Sequence, residues 1–122
     1  MEITHVHKLT VPVTDQDVAK AFYVGKLGFE LRGDLPVPMG ENSRWIEVAP
    51  KGAQTTLVLC DWLPDAPKLR GAMLATKDTD LAVAALRDAG VAIDDPQRTP
   101  WGNQATFADP DGNTFILTDG PA

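Results

Sequence analysis

Residues 15–28 read DQDVAKAFYVGKLG, and a similar stretch begins 63 residues later as DTDLAVAALRDAG at residues 78–90. Each opens with Asp-x-Asp, continues with apolar residues at helical spacing and ends in Gly, the pattern of a capped helix with a left-handed stop. Residues 49–57 are echoed in the same way by residues 109–117, which lie 60 positions further along. Two copies are too few for a solenoid, which needs about three or more. The sequence therefore predicts two similar modules around a shared cleft, and such a cleft is a natural ligand site.

Each module is predicted to run strand, helix, strand, strand, strand. In the first copy, Thr14 or Asp15 caps a helix with Val18, Ala21, Phe22 and Gly25 at helical spacing, and Gly28 ends it. The strands predicted for this module from apolar alternation are Ile3–Val13 and stretches near Phe29–Leu35, Arg44–Ala49 and Thr55–Asp61.

The second copy follows a linker, residues 62–68, which contains two prolines that a central strand would not accept. Its predicted elements are strand Leu69–Thr76, helix Thr79–Ala89 and strands near Val91–Asp94, Asn103–Ala108 and Thr114–Thr118, with a tight turn at residues 109–113. The chain is therefore interpreted as one domain, 1–122, with module one at about 1–61 and module two at about 69–122.

Composition narrows the classes of function. The 122 residues are 43% hydrophobic and carry a formal net charge of −6, so a nucleic acid or an anionic membrane is not an expected partner. Cys60 is the only cysteine, which favours a reducing, cytoplasmic location. No apolar run approaches the roughly 18 residues of a membrane span, and no basic-then-apolar secretory signal is visible at the N-terminus.

The duplication, the Asp-x-Asp helix starts and the segments 13–17, 21–23, 27–30 and 107–113 (FADPDGN) together resemble the vicinal oxygen chelate superfamily. Its members include glyoxalase I, extradiol dioxygenases, fosfomycin-resistance proteins and bleomycin-resistance protein. The resemblance covers nearly the whole chain. It implies an α+β fold in which two tandem βαβββ modules form an open, incomplete barrel with the helices outside, but it does not imply one reaction, because a fold can host many functions.

The resemblance also implies four metal-ligand positions, on the first and last strands of each module. Here they match Lys8, Thr56, Ala72 and Ile116, none of which is a usual ligand of a divalent ion, so we expect no metal and no cofactor. His5 and His7 share a strand face and such a pair can bind zinc, but a third ligand is missing, because Cys60 is expected on the other face. We interpret both histidines as polar residues at a strand end.

Strand alternation predicts which side chains line the cleft. The set mixes aromatic and aliphatic walls with a few polar groups, which is typical of a small-molecule pocket. We predict that the ligand-binding residues are Lys8, Thr10, Trp45, Glu47, Thr56, Val58, Cys60, Ala72, Leu74, Gln104, Thr106 and Ile116, with Trp101 at the mouth, where it could stack on a planar ligand.

Several of these residues have two interpretations. Trp45 is either a wall of the cleft or part of the core, and Cys60 is interpreted as a small buried hydrophobe rather than a nucleophile. Lys8 and Glu47 form either an ion pair or a proton-transfer couple in which burial lowers the pKa of Lys8 and raises that of Glu47. The sequence does not choose between these roles.

Two classes of function follow. The first is a metal-free, bleomycin-resistance-like protein that binds a small apolar or aromatic molecule in the cleft, and the acidic composition would suit a cationic one. The alternative is an enzyme, a glyoxalase-like lyase or a dioxygenase, which is either metal-independent through Lys8 and Glu47 or has a rebuilt metal site. In both cases we expect a homodimer, because two such modules leave sheet edges that natural proteins cover.

Overall fold

The computed structural model describes residues 1–121, and the chain divides into two compact units, Met1–Pro67 and a second that begins at Lys68. Each unit repeats the element order strand, helix, strand, strand, strand, and each builds one four-stranded sheet. The predicted α+β class with two βαβββ modules is therefore confirmed. No helix among residues 1–121 is long and apolar enough to cross a membrane.

The first unit is built on a mixed sheet with strand order β1-β4-β3-β2, in which β1 is parallel to β4 and the other neighbours are antiparallel. The elements are β1 (Lys8–Pro12), α1 (Gln16–Lys20) continued by a π-helical stretch (Ala21–Lys26), β2 (Glu30–Pro36), β3 (Arg44–Ala49) and β4 (Thr56–Cys60).

The second unit repeats this topology with strand order β5-β8-β7-β6 and a parallel pair between β5 and β8. The elements are β5 (Ala72–Ala75), α2 (Thr79–Asp88), β6 (Gln97–Thr99), β7 (Gly102–Ala108) and β8 (Thr114–Thr118). Phe107 and Phe115 are buried on one face of this sheet and stack with ring centroids 5.5 Å apart.

Three predicted strands were wrong in extent or position, and the one predicted at Leu69–Thr76 is the shorter β5, Ala72–Ala75. The strand predicted at Ile3–Val13 begins only at Lys8, because its single neighbour β4 begins at Thr56, which pairs with Lys8, and residues 1–7 are exposed. The strand predicted near Val91–Asp94 is absent apart from one bridge between Ile93 and Phe107, and β6 follows instead at Gln97–Thr99. Val91 does not join the sheet as predicted. Its backbone N–H instead donates to the carbonyl of Leu86 at the C-terminal end of α2.

The first helix starts as predicted but presents a different face to the sheet. Asp15 is its N-cap and accepts hydrogen bonds from the backbone N–H groups of the second and third residues after it. Phe22 is buried as predicted, but Val18 and Ala21 are exposed, while Ala19 and Tyr23 are buried with it. Gly28 has φ +73°, as a left-handed stop requires.

Gln16 explains why α1 is rotated about its axis relative to the predicted orientation. Its side chain is 5% exposed and bonds the sheet backbone three times: Nε2 donates to the carbonyls of Arg44 at 2.6 Å and Leu59 at 2.8 Å, and Oε1 accepts from the N–H of Arg44 at 2.9 Å. A polar side chain thus points into the interior because it satisfies backbone groups there. The apolar periodicity of the sequence alone could not reveal this.

Candidate functional site

One face of the first sheet carries the predicted polar and aromatic residues, and we call it the distal face because the alternate residues Val11, Ile46 and Leu59 form the core beneath α1. The strand register pairs Lys8 with Thr56, Thr10 with Val58, and Glu47 with Val58, so side chains from three strands share this face. Residues of the distal face are Lys8, Thr10, Trp45, Glu47, Thr56, Val58 and Cys60.

Four side chains on the distal face are joined through one carboxylate, and we call them the Glu47 cluster. Glu47 Oε2 accepts from Lys8 Nζ at 2.6 Å and from Thr56 Oγ1 at 2.8 Å. Glu47 Oε1 accepts from Trp45 Nε1 at 3.0 Å, and Lys8 Nζ also lies 3.5 Å from Thr56 Oγ1. The carboxylate therefore fixes the indole ring of Trp45 and the ammonium of Lys8 in place.

The electrostatics of Glu47 bear on the two interpretations of the Lys8–Glu47 pair. Burial raises the pKa of Glu47, but hydrogen bonds from Lys8, Trp45 and Thr56, with the positive charge of Lys8, outweigh burial and lower that pKa to about 2. A proton-transfer couple would require a raised carboxyl pKa, so the lowered pKa of Glu47 favours the ion pair. A carboxylate with so low a pKa is a poor general base, and the ion pair is what the geometry contains.

Trp62 adjoins these residues, although the sequence predicts a linker at its position. Its ring stacks on that of Trp45, with centroids 6.1 Å apart and planes inclined by 24°, and both side chains are half-buried. Alternation continued beyond β4 could have found it, because Trp62 is two residues after Cys60, which shares the distal face.

Cys60 behaves as a buried thiol. Burial is the main cause that raises its pKa to about 11; a hydrogen bond from the side chain of Thr10 acts in the opposite direction, and the charge of Asp61 adds to the rise. The thiol is 3% exposed and donates to the carbonyl of Val58 at 3.6 Å. A protonated, buried sulfur is a weak nucleophile, which agrees with its interpretation as a small hydrophobe.

In the second unit the predicted facing was wrong for Ala72 and Leu74. The register pairs Ala72 with Phe115 and Leu74 with Leu117, so both point to the core side of the sheet, and Met73 is the neighbour of Ile116 instead. The prediction failed because the equivalent positions lie at different distances from the helix caps: Lys8 precedes Asp15 by seven residues, whereas Met73 precedes Asp78 by only five.

The other predicted residues of this unit divide into two groups. Gln104, Thr106 and Ile116 share one face of the sheet, the register pairing Thr106 with Ile116. Gln104 and Thr106 also border an open depression with Asp94, Asp95, Gln97 and Ala105. Trp101 is 61% exposed at the turn between β6 and β7.

The residues at the family's metal positions do not fit a divalent ion. With the register corrected, these positions carry Lys8 and Thr56 in the first unit and Met73 and Ile116 in the second, and the ammonium of Lys8 would repel a cation. Among residues 1–121 there is no group of three His, Cys, Asp or Glu side chains that could hold a metal. His5 and His7 lie outside β1, exposed, with ring centroids 6.1 Å apart.

Residues 3–117 match the Glyoxalase/Bleomycin resistance protein/Dioxygenase superfamily. Together with the duplicated βαβββ fold, this match shows that the chain belongs to that superfamily, which confirms the resemblance read from the sequence.

Individual relatives are similar over nearly their whole length. The structure of TnmS3, an antibiotic binding protein from Streptomyces sp. CB03234, is 51% identical, with 99% of each chain covered and a TM-score of 0.91. A superfamily member from Sphaerobacter thermophilus DSM 20745 is 37% identical, with 95% of this chain and 97% of that one covered and a TM-score of 0.81. The uncharacterized protein YetH of Bacillus subtilis (strain 168) is 32% identical over 121 residues, 96% of this chain and 99% of YetH.

Proposed function

We propose that this protein binds a small aromatic molecule, with an antibiotic as the first candidate, on the distal face of its first sheet and without a metal. The observation that carries the proposal is Trp45, a half-buried indole that is stacked on Trp62 and hydrogen-bonded to Glu47. The similarity to TnmS3, which is described as an antibiotic binding protein, supports the class of ligand.

Preorganisation of Trp45 favours binding at this face. A tryptophan ring already held by a stack and by a hydrogen bond loses little conformational freedom when a second aromatic surface contacts it, so more of the interaction free energy remains as affinity. Flat aromatic surfaces pair well with such rings. The proposed lining of the first unit is the Glu47 cluster with Thr10, Val58, Cys60 and Trp62.

In the second unit, Gln104, Thr106, Ile116 and Trp101 remain predicted ligand-binding residues. Ala72 and Leu74 are no longer included, because the strand register turns them toward the core of their own sheet.

The test is a panel of aromatic antibiotics measured by thermal shift and tryptophan fluorescence. A ligand at a hundred times its Kd stabilises a protein by roughly 2.7 kcal/mol, which raises the melting temperature by several degrees. Trp45→Ala should weaken binding by about thirtyfold, since truncating an aromatic anchor typically costs about 2 kcal/mol or more. Trp45→Phe, which keeps a ring but loses the N–H donor, serves where the alanine variant folds poorly.

Leu81→Ala is the matched control, because Leu81 is 69% exposed on α2 in the other unit, and it should leave affinity unchanged. Ligands that bind Trp45→Ala as tightly as the parent protein would place the site elsewhere and defeat the proposal.

We also propose that the protein acts in the cytoplasm as a two-fold dimer. Within its own unit each sheet ends in strands with one neighbour, β1 and β2 or β5 and β6, and natural proteins cover such edges. Light scattering at high micromolar concentration should give twice the chain mass of 13.1 kDa, and a monomer mass would contradict the dimer.

A further inference from the structure

We propose that the ligand offers an acceptor oxygen to Lys8 Nζ, and that the site discriminates against cationic aromatic molecules despite the acidic composition of the chain. This inference rests on the proposed function and specifies its ligand class. It reverses the expectation, drawn from net charge, that a cationic ligand would suit the protein.

The carboxylate of Glu47 is already occupied by hydrogen bonds within the protein. It accepts three hydrogen bonds, from Lys8, Thr56 and Trp45, out of about four that an ionised carboxylate can accept. Its side chain is 14% exposed, so little of it can reach a ligand. Glu47 is therefore a positioning residue rather than a contact for a cation.

The ammonium of Lys8 can still donate a hydrogen bond. An ammonium has three N–H donors, and two of them point to Glu47 and Thr56. Among residues 1–121 the third has no acceptor, and the side chain is 30% exposed, twice as accessible as its partner. The reachable end of the ion pair is thus its positive end, which suits a carbonyl, carboxylate or phenolate oxygen.

The local positive charge of Lys8 opposes the net charge of −6 that the whole chain carries. Exposed charges further apart than about 8 Å are largely screened at physiological ionic strength, whereas a partly buried charge in direct contact is screened much less. A ligand amine seated beside Trp45 would meet the ammonium of Lys8 at contact distance. The local repulsion should therefore outweigh the diffuse attraction of the acidic surface.

The experiment uses three probes with the same aromatic body: 2-naphthoate, 2-acetylnaphthalene and 2-naphthylmethylammonium. Binding is measured by titration calorimetry or by chemical shifts of the tryptophan N–H signals on the whole chain. We expect the carboxylate and the ketone to bind at least tenfold more tightly than the ammonium compound. The ratio between carboxylate and ketone shows whether Lys8 recognises an anion or any acceptor oxygen.

The variant is Lys8→Met combined with Glu47→Gln, because removing Lys8 alone would leave a half-buried carboxylate without its cation. Gln at position 47 retains an oxygen that can accept from Trp45 Nε1. This double variant should bind the three probes within about threefold of one another. An ammonium probe that binds the parent protein as tightly as the naphthoate, or a tenfold preference that survives in the double variant, would overturn the inference.

Failure of the proposed function gives a different result. In that case none of the three probes binds the parent protein at millimolar concentration, or all three bind Trp45→Ala unchanged. Probe binding that depends on Trp45 but shows no preference between head groups rejects only the role of Lys8.

Discussion

The two units share one topology but differ at equivalent positions on the sheet face turned away from the helix. The strand registers align Lys8 with Met73, Thr56 with Ile116, and Glu47 with Gln104. The first unit thus has an ion pair and a hydroxyl where the second has a thioether, an amide and an aliphatic side chain. Because the second sheet forms without these charges, the fold does not require them, which agrees with the binding role proposed for the first unit.

The units also differ in how each helix is fixed to its sheet. Gln16 alone makes three hydrogen bonds to the backbone of the first sheet. Thr79, the matching residue after the N-cap, makes one side-chain bond, from Oγ1 to the carbonyl of Asn103 at 2.9 Å, while Asp119 accepts from the N–H of Asn103 at 2.8 Å. In the second unit, therefore, Thr79 and Asp119 together provide the anchoring that Gln16 alone provides in the first.

The largest effect is expected from Gln16→Ala, which should lower the free energy of unfolding by about 4 kcal/mol. It leaves three backbone groups unsatisfied, and each such buried group costs about 1–3 kcal/mol, less where water reaches it. Thr79→Ala removes one bond and should cost about 2 kcal/mol. Urea unfolding measures both, with the exposed Val18→Ala as a control within 0.5 kcal/mol. Equal losses for Gln16 and Thr79 would show that the anchoring does not differ between the units.

Acid should act on the first unit through Glu47. Its folded pKa of about 2 lies below the unfolded value of 4.5, so its contribution is present above pH 4.5 and is lost as the pH falls towards 2. Because solvent screens this partly exposed ion pair, we expect a loss of about 1–2 kcal/mol, less than the full pKa difference would give. A triple variant, Lys8→Met, Glu47→Gln and Thr56→Ile, copies the second unit and should lack this part of the acid loss. Melting temperatures of both proteins between pH 5 and pH 2 provide the measurement, and parallel curves would contradict the role of Glu47.

The smallest effect compares neighbours in β5. Leu74→Ala should cost about 1–2 kcal/mol, because Leu74 is half-buried on the core side of its sheet, whereas Met73→Ala should stay within about 0.5 kcal/mol, because Met73 is 63% exposed. Urea unfolding of the two single variants is sufficient. A larger loss for Met73→Ala than for Leu74→Ala would instead support an alternation in which Met73 faces the core and Leu74 does not.

Much of the fold could be predicted because its signals are local. The caps Asp15 and Asp78 mark the helix starts, and the strands Arg44–Ala49 and Thr114–Thr118 have the bounds predicted from their alternation. In β3 that alternation also places Trp45 and Glu47 on the face opposite Ile46.

The wrong predictions concern elements whose orientation depends on contacts with residues far away in the sequence. The rotation of α1 depends on bonds from Gln16 to strands 28 and 43 residues away. The register of β5 depends on β8 and not on the distance to Asp78, and the small residues Ala72 and Ala75 carry little amphipathic signal. Trp62 was missed because prolines two and five residues later predicted a linker.

The Glu47 cluster also has a kinetic consequence, because its members are far apart along the chain. Strands β2, β3 and β4 are joined by short connections, but β1 reaches β4 only by closing a long loop, with Lys8 separated by 39 residues from Glu47 and by 48 from Thr56. Contacts across such long loops tend to form late, after local hairpins. We therefore expect substitutions at Lys8 to accelerate unfolding while leaving the folding rate nearly unchanged. The ion pair would then slow the unfolding of the first unit and so lengthen the lifetime of its folded state.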